Sequence, residues 1–143
     1  MKFTFLFMGK KRAGLLHDGI EDYLARIQNT YEARIISGKK NGEMARFLNR
    51  TSQGSYVIGL AEKGQSFNSA EFAHCLREIM ERGKKEIVFL VGEADGLDAA
   101  LQENCDMLLS LSPMTFNHRL ARLVLLEQVY RALSIIQNTP YHR

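Results

Sequence analysis

The side chains best suited to chemistry lie near the C-terminal end of this 143-residue chain. Glu127 and Arg131 are spaced i, i+4 and share one face of a strongly apolar predicted helix. On an exposed helix this spacing gives a salt bridge worth about 0.2–0.5 kcal/mol. On an apolar face, however, two charges also indicate a paired, partly buried group with a functional task. The residues alone leave both interpretations open.

The last three residues of the chain combine three kinds of recognition chemistry. Tyr141 offers a ring for stacking, His142 an imidazole for proton exchange, and Arg143 a guanidinium for binding phosphate. Chain ends are often frayed, so a disordered tail is the competing interpretation.

Two loops that follow buried apolar strands are candidate ligand sites. Gly92–Gly96 follows the predicted strand Ile87–Val91, and Ser110–Asn117 follows the predicted strand Met107–Leu111. In open α/β sheets, ligands bind beyond the carboxyl ends of the strands. Glycines allow a ligand to approach the backbone, and the hydroxyls and apolar groups of the second loop suit an adenine edge and its faces. A tight turn and a capped helix entrance are the alternatives.

A third loop is basic. Lys10, Lys11 and Arg12 follow the first predicted strand, residues 2–8, and could hold a phosphate. A solvated loop explains the same charges equally simply.

The elements that position these residues alternate between strands and helices. Strands are predicted at 2–8, 34–37, 56–60, 87–91 and 107–111, and helices at 15–28, 43–50, 69–82, 97–104 and 118–137, with a loop at 61–65 and a helix cap at Asn68 or Ser69. This alternation predicts one α/β domain over residues 1–143, with a parallel sheet covered by helices on both faces. The last helix is apolar around nearly its whole circumference, which predicts that it packs against a second copy in a homodimer.

The composition excludes several classes of protein. A hydrophobic content of 45% supports a real core. Cys75 and Cys105 have no pairing or zinc spacing, and the four histidines form no metal motif, so we expect reduced thiols and no metal. The apolar residues 2–8 are too short to span a bilayer, so we expect no membrane segment and a cytoplasmic location. A net charge of +3 permits a polyanionic partner but predicts weak binding to naked RNA.

Three C-terminal stretches carry a family resemblance. They read S-L-S-P-M-T-F-N-H-R-L-A-R from Ser110, L-L-E-Q-V-Y-R-A from Leu125 and N-T-P-Y-H-R from Asn138. They resemble the RlmH family, the small SPOUT-class methyltransferases that modify a pseudouridine of 23S ribosomal RNA. Weaker matches extend over the rest of the chain, at F-x-G-K, at D-Y-L-A-R and at V-I-G-L-A-E-K-G.

The resemblance implies a fold, a cofactor and a set of site residues. It implies an α/β knot, in which the C-terminal segment forms a deep trefoil, and a homodimer. It implies S-adenosylmethionine as the methyl donor, with contacts that carry over onto Leu60, Gly92, Leu111, Ser112, Pro113, Met114, Thr115 and Phe116. It also implies a second set, near the donor site of the same or the partner subunit, comprising Glu127, Arg131, Tyr141, His142 and Arg143.

The implied reaction is methyl transfer to N3 of a pseudouridine within the assembled ribosome. That nitrogen carries a proton, so a base is needed; His142 is the first candidate and Glu127 the second. Arg131 or Arg143 would stabilise the developing charge or grip a phosphate, and Tyr141 would stack on the base.

The chain departs from the family pattern at three positions. Glu93 stands where the family usually has glycine, and its carboxylate could crowd the donor, repel RNA or point to solvent. Ala61 replaces a common aspartate, and Asn117 replaces the usual proline but is a good helix cap. Two other functions stay open: a binding module for RNA or ribosomes that has lost catalysis, and a flavodoxin-like nucleotide-binding domain.

Overall fold

The computed structural model describes residues 1–10, 14–38, 40–51 and 53–142. Within them strands and helices alternate strictly. The elements are β1 (Lys2–Phe7), α1 (Leu15–Gln28), β2 (Glu32–Ser37), α2 (Asn41–Thr51), β3 (Ser55–Ser66), α3 (Ser69–Met80), β4 (Glu86–Val91), α4 (Ala99–Glu103), β5 (Met107–Ser110) and α5 (His118–Ile136).

The five strands form one sheet in the order β2-β1-β4-β3-β5, and every neighbouring pair is parallel. The carboxyl ends of all five strands therefore share one edge. Residues of α1, α3 and α5 pack on one face, and residues of α2 and α4 pack on the other. The predicted α/β architecture, with helices on both faces of a parallel sheet, is confirmed.

Strand β1 shows how the sequence directs its side chains to the two faces. Phe3, Phe5 and Phe7 point into the larger core, while Leu6 and Met8 point into the smaller one. This follows from the two-residue period of a strand. Burying each such side chain contributes about 1.5–3 kcal/mol.

Strand β3 corrects one expectation from the sequence. Residues 61–65 were expected to form a loop, but β3 continues to Ser66 through a register shift, so that Leu60 and Gln65 both pair with Leu109. A Cβ on Gly64 would lie 2.7 Å from the carbonyl carbon and oxygen of Leu108. The prediction was wrong because Gly64 allows close approach to β5 rather than a turn away from it.

Helix α3 begins as predicted. The Asn68 side chain accepts a hydrogen bond from the Glu71 amide at 2.8 Å, and the Glu71 carboxylate accepts one from the Asn68 amide at 2.8 Å. This capping box satisfies two amides at the helix start and is worth about 1 kcal/mol. Asn117 likewise caps α5, accepting from the Arg119 amide at 2.9 Å.

Helix α5 packs against both α1 and α3. Its buried apolar side chains are Leu125, Leu126, Val129, Ala132 and Leu133. The first turn differs, because Leu120 is 37% exposed. Leu15, at the start of the neighbouring α1, is fully exposed. Two leucines at the starts of adjoining helices are thus left in contact with solvent.

None of the helices in the described residues combines the length and apolar character needed to cross a membrane. Cys75 and Cys105 are free thiols. The described ranges also contain no group of three or more histidine, cysteine, aspartate or glutamate side chains arranged to hold a metal ion.

Candidate active site

A cavity of about 430 Å³ opens at the carboxyl ends of β3, β4 and β5. This size is ordinary for a small-molecule site. Seven of the eight residues that the sequence assigns to donor binding line it: Leu60, Gly92, Leu111, Ser112, Met114, Thr115 and Phe116. The eighth, Pro113, is exposed and does not line the cavity, although both of its chain neighbours do. Two distant loops and a strand end therefore converge on one space.

The loop after β4 folds tightly on itself. The Gly96 amide donates to the Glu93 carbonyl at 2.8 Å, and Gly96 has a φ of +74°. A Cβ on Gly92 would lie 2.5 Å from the Gly96 carbonyl carbon. Because no side chain fits at position 92, the backbone itself forms this wall of the cavity.

The loop after β5 is shaped by its own hydroxyl groups. Ser110 Oγ donates to the Ser112 carbonyl at 3.0 Å, and the Met114 amide donates to Ser112 Oγ at 2.9 Å. Thr115 Oγ1 donates to Glu62 Oε1 at 2.9 Å, which ties the loop to the extension of β3.

Glu62 and Lys63, which line the cavity beside Leu60, are among the residues that sequence reasoning missed. The available signal is the stretch V-I-G-L-A-E-K-G, which carries the family resemblance, but its last four residues are predicted as part of a loop. The charged side chains around the cavity are Glu62, Lys63, Glu93 and Asp95. Acidic groups outnumber basic ones, so the cavity favours a ligand that carries positive charge.

Glu93 sits at the rim of this cavity. Its residue is exposed, and its carboxyl group lies over the backbone at the end of β1, where a Cβ on Gly9 would lie 2.8 Å from Glu93 Cδ. Gly9 has a φ of +81°, a conformation that favours glycine. The departure from the family pattern is thus accommodated against Gly9, which lies in the loop after β1.

A second cluster gathers four of the five residues predicted for catalysis. Arg131 Nη2 and Nε donate to Glu127 Oε1 at 2.6 and 2.9 Å. Tyr141 Oη donates to the same oxygen at 3.1 Å, and Arg131 Nη1 lies 3.1 Å from His142 Nδ1. Tyr141 and His142 therefore both contact side chains of α5. Arg143 lies outside the described residues, as do Lys11 and Arg12.

Tyr141 is enclosed by aromatic and cationic neighbours. Its ring meets Tyr130 edge-on with centroids 4.7 Å apart, and the Arg131 guanidinium lies 4.8 Å from its centroid. Its hydroxyl is 3.0 Å from that of Tyr23. Since Tyr141 donates its proton to Glu127, Tyr23 must donate to Tyr141. Burial, then the hydrogen bonds with Tyr23 and Glu127, raise the pKa of Tyr141 well above its ordinary value.

The contact with Arg131 defines the tautomer of His142. A guanidinium only donates, so Nδ1 of a neutral ring accepts and the ring proton resides on Nε2. Tyr23 and Tyr130 belong to this cluster but were not predicted as site residues. The quoted D-Y-L-A-R and L-L-E-Q-V-Y-R-A stretches contain them, yet their distance in sequence from the tail conceals the contact.

The two sets of residues do not share a cavity within one chain. Among the residues that the structure describes, the walls of the donor cavity include neither Glu127 and Arg131 nor Tyr141 and His142.

Comparison with known proteins identifies the family of the chain. The family model described as "Predicted SPOUT methyltransferase" matches residues 1–142. The chain therefore belongs to the SPOUT methyltransferase family.

Within that family, its sequence relatives include proteins named Ribosomal RNA large subunit methyltransferase H. The one from Syntrophotalea carbinolica is 39% identical, and the match covers 99% of each chain. The one from Ruminiclostridium cellulolyticum is 36% identical, and the match covers both chains completely. Like these relatives, the chain is a methyltransferase of the SPOUT class.

Solved structures show the same fold at low sequence identity. A probable methylase family protein from Haemophilus influenzae superposes with a TM-score of 0.60 at 14% identity, covering 99% of this chain and 70% of that chain. The SpoU methyltransferase AviRb from Streptomyces viridochromogenes, in complex with AdoMet, has a TM-score of 0.55 at 17% identity, covering 96% of this chain and 58% of that one.

Proposed function

We propose that this protein transfers a methyl group from S-adenosylmethionine to N3 of a pseudouridine in the large-subunit ribosomal RNA of the assembled ribosome. The observation that carries the proposal is the convergence of seven predicted donor-binding residues on one cavity. The names of the relatives that match nearly the whole chain support the RNA substrate. We place the reaction in the cytoplasm.

The residues of the cavity fit the proposed donor. Gly92 presents bare backbone, and the loop after β5 presents hydroxyl and apolar groups, which together suit an adenosyl group. The excess of acidic side chains suits the positive sulfonium. Bound there, S-adenosylmethionine would supply an activated methyl group; the remaining work falls to the side chains of the protein.

His142 is the proposed base. The N3 proton of the pseudouridine must leave as the N–C bond forms, and a positioned base with a free lone pair must take it. Nδ1 of His142 carries that lone pair but is engaged by Arg131 at 3.1 Å. Release of this contact would free Nδ1 for the proton and free Arg131 to stabilise the negative charge on the base.

The other predicted residues would grip the RNA. Tyr141 offers its ring for stacking on the base, and Arg143 offers a guanidinium for phosphate or the developing charge. Glu127 would anchor Arg131 and the Tyr141 hydroxyl, since its carboxylate accepts hydrogen bonds from both.

The active site is proposed to be completed across a homodimer. The cluster that holds the tail does not line the donor cavity of its own chain, so a second copy is the simplest source of the missing half. The exposed Leu15 and Leu120 at the starts of α1 and α5 supply an apolar surface for that contact. The fold is proposed to contain the deep C-terminal trefoil knot that the family resemblance implies.

The test uses tritiated S-adenosylmethionine and ribosomes from cells that lack this protein. Label is counted in 23S RNA and mapped by primer extension. Label at one pseudouridine is the expected result. Donor binding by calorimetry without label in any RNA would contradict the proposal.

A second candidate is a binding module that has kept the fold and lost catalysis. The carboxylate of Glu93 at the cavity rim is the observation that favours it. Absence of both label and donor binding would support this alternative.

A further inference from the structure

The carboxylate of Glu127 receives a hydrogen bond on its second oxygen from a residue with no assigned role. Oε1 accepts from Arg131 and Tyr141, whereas Oε2 accepts from Gln128 Nε2 at 2.8 Å. Side chains adjacent in a helix sequence do not normally face one another. This contact is therefore not an ordinary helix-stabilising pair, and it needs a separate cause.

That cause is a hydrogen bond from another helix. Ser69 Oγ donates to Gln128 Oε1 at 2.9 Å. A carboxylate can only accept, so the Gln128 amide must turn its NH2 group to Glu127 and its oxygen to Ser69. The two contacts thus fix the orientation of the amide without ambiguity.

The position of Ser69 is set by the start of α3. It is the first residue of α3, directly after the capping residue Asn68, whose box with Glu71 sets the helix start. A chain of hydrogen bonds therefore runs from the start of α3 through Gln128 to Glu127 and on to Arg131 and the tail.

We propose that Gln128 is a positioning residue for methyl transfer, which acts by fixing the Glu127 carboxylate that holds Arg131 and Tyr141. Ser69 anchors Gln128 from α3. This inference rests on the proposed function, because it assigns Gln128 a part in presenting the catalytic tail.

The experiment compares Gln128→Met, which keeps the length of the side chain, with wild type on methyl-deficient ribosomes. We expect kcat to fall by about tenfold, since displacement of a catalytic group is costly, while donor Kd stays unchanged. Ser69→Ala should lower kcat in the same direction by a smaller factor. Gln53→Met, an exposed glutamine near β3, is the matched control and should keep wild-type kcat.

A double-mutant experiment distinguishes a positioning role of Gln128 from a merely structural one. In a Glu127→Ala background, Gln128→Met should cause no further loss in single-turnover rate, because the group it positions is already gone. A further tenfold loss there would overturn the proposal, as would wild-type kcat in Gln128→Met. If wild-type protein methylates no ribosomal RNA, the proposed function fails first. Proton NMR of the Tyr141 ring then still tests the inference: signals unchanged by Gln128→Met would overturn it.

Discussion

The contact between His142 and Arg131 determines whether His142 can act as a base. Its proposed role requires a free lone pair at Nδ1, and the structure gives that lone pair to Arg131. In the proposed reaction, Arg131 must therefore release Nδ1 before Nδ1 can accept the N3 proton of the pseudouridine. Substitutions at His142 should affect turnover rather than donor binding, since His142 does not line the donor cavity of its own chain.

For His142→Ala we expect kcat to fall by about 10²-fold or more, because a positioned base typically contributes that much. Donor Kd should stay at the wild-type value. Single-turnover labelling measures the first quantity and calorimetry the second. Unchanged turnover would remove His142 from the mechanism.

Cys105 allows a prediction from its surroundings. Burial, and then the nearby charge of Asp106, raise the pKa of the Cys105 thiol to about 11. The folded state thus favours the protonated thiol; the resulting stabilisation is complete below about pH 9 and is lost as the pH rises toward 11.

At pH 8, alkylation of Cys105 by iodoacetamide should be slower in the folded protein than in urea by on the order of 100-fold, because the thiolate is the reactive form. Mass spectrometry of the labelled peptide measures the rate. Equal rates in folded and unfolded protein would contradict the assignment.

At the scale of elements, the extension of β3 creates the site. It supplies Glu62, which holds the loop after β5 through Thr115, and it passes close to β5 at Gly64. A methyl group at position 64 would clash with the backbone of Leu108 rather than with a flexible side chain. Strands β3 and β5 would therefore have to move apart.

Gly64→Ala should lower the free energy of unfolding by about 1–3 kcal/mol, the usual cost of overpacking, and should weaken donor binding. Gly54→Ala is the matched control, because a Cβ there meets nothing within 4 Å. Urea denaturation and calorimetry measure the two effects. Equal stability of the two variants would show that β3 and β5 separate without cost.

The sequence predicted most elements but not this extension. Helix α1 runs from Leu15 to Gln28 as predicted, because its apolar residues recur at helical spacing. Residues 61–65 carry no apolar alternation, so only the presence of β5 makes them a strand. Pairing with a distant strand cannot be derived from local pattern.

Contacts between distant segments also limit what the sequence can predict about the tail cluster. The residue types indicated Glu127 with Arg131 and Tyr141 with His142 as two separate candidates, and only the family resemblance grouped the four residues together. The support from Tyr23 and Ser69 could not be predicted, because each lies far in sequence from the residue it contacts. Tyr23 of α1 reaches Tyr141 of the tail, and Ser69 of α3 reaches Gln128 of α5, only through the packing of these helices.

At the scale of the whole molecule, the donor cavity and the tail cluster lie apart on one chain. The donor cavity is built by the carboxyl ends of the strands, and the tail cluster by α1 and α5. The proposed homodimer would join them through the surface near the start of α5, where Leu120 is exposed.

Leu120→Glu should convert the proposed dimer to a monomer and abolish methylation, because a charge would be buried at the contact. Sedimentation velocity gives the mass of the species, and circular dichroism confirms folding. Gln53→Glu adds the same charge at an exposed position elsewhere and should remain dimeric. A dimer that survives Leu120→Glu would place the contact on another surface.

The parallel order of the sheet also governs when the chain can fold. Parallel neighbours cannot form a local hairpin, so each pairing must await a distant segment. Helix α5 packs against α1 and α3 and follows all five strands in the chain. During translation the sides of α1 and α3 that contact α5 therefore stay uncovered until α5 emerges, so the nascent chain exposes apolar surface for that interval.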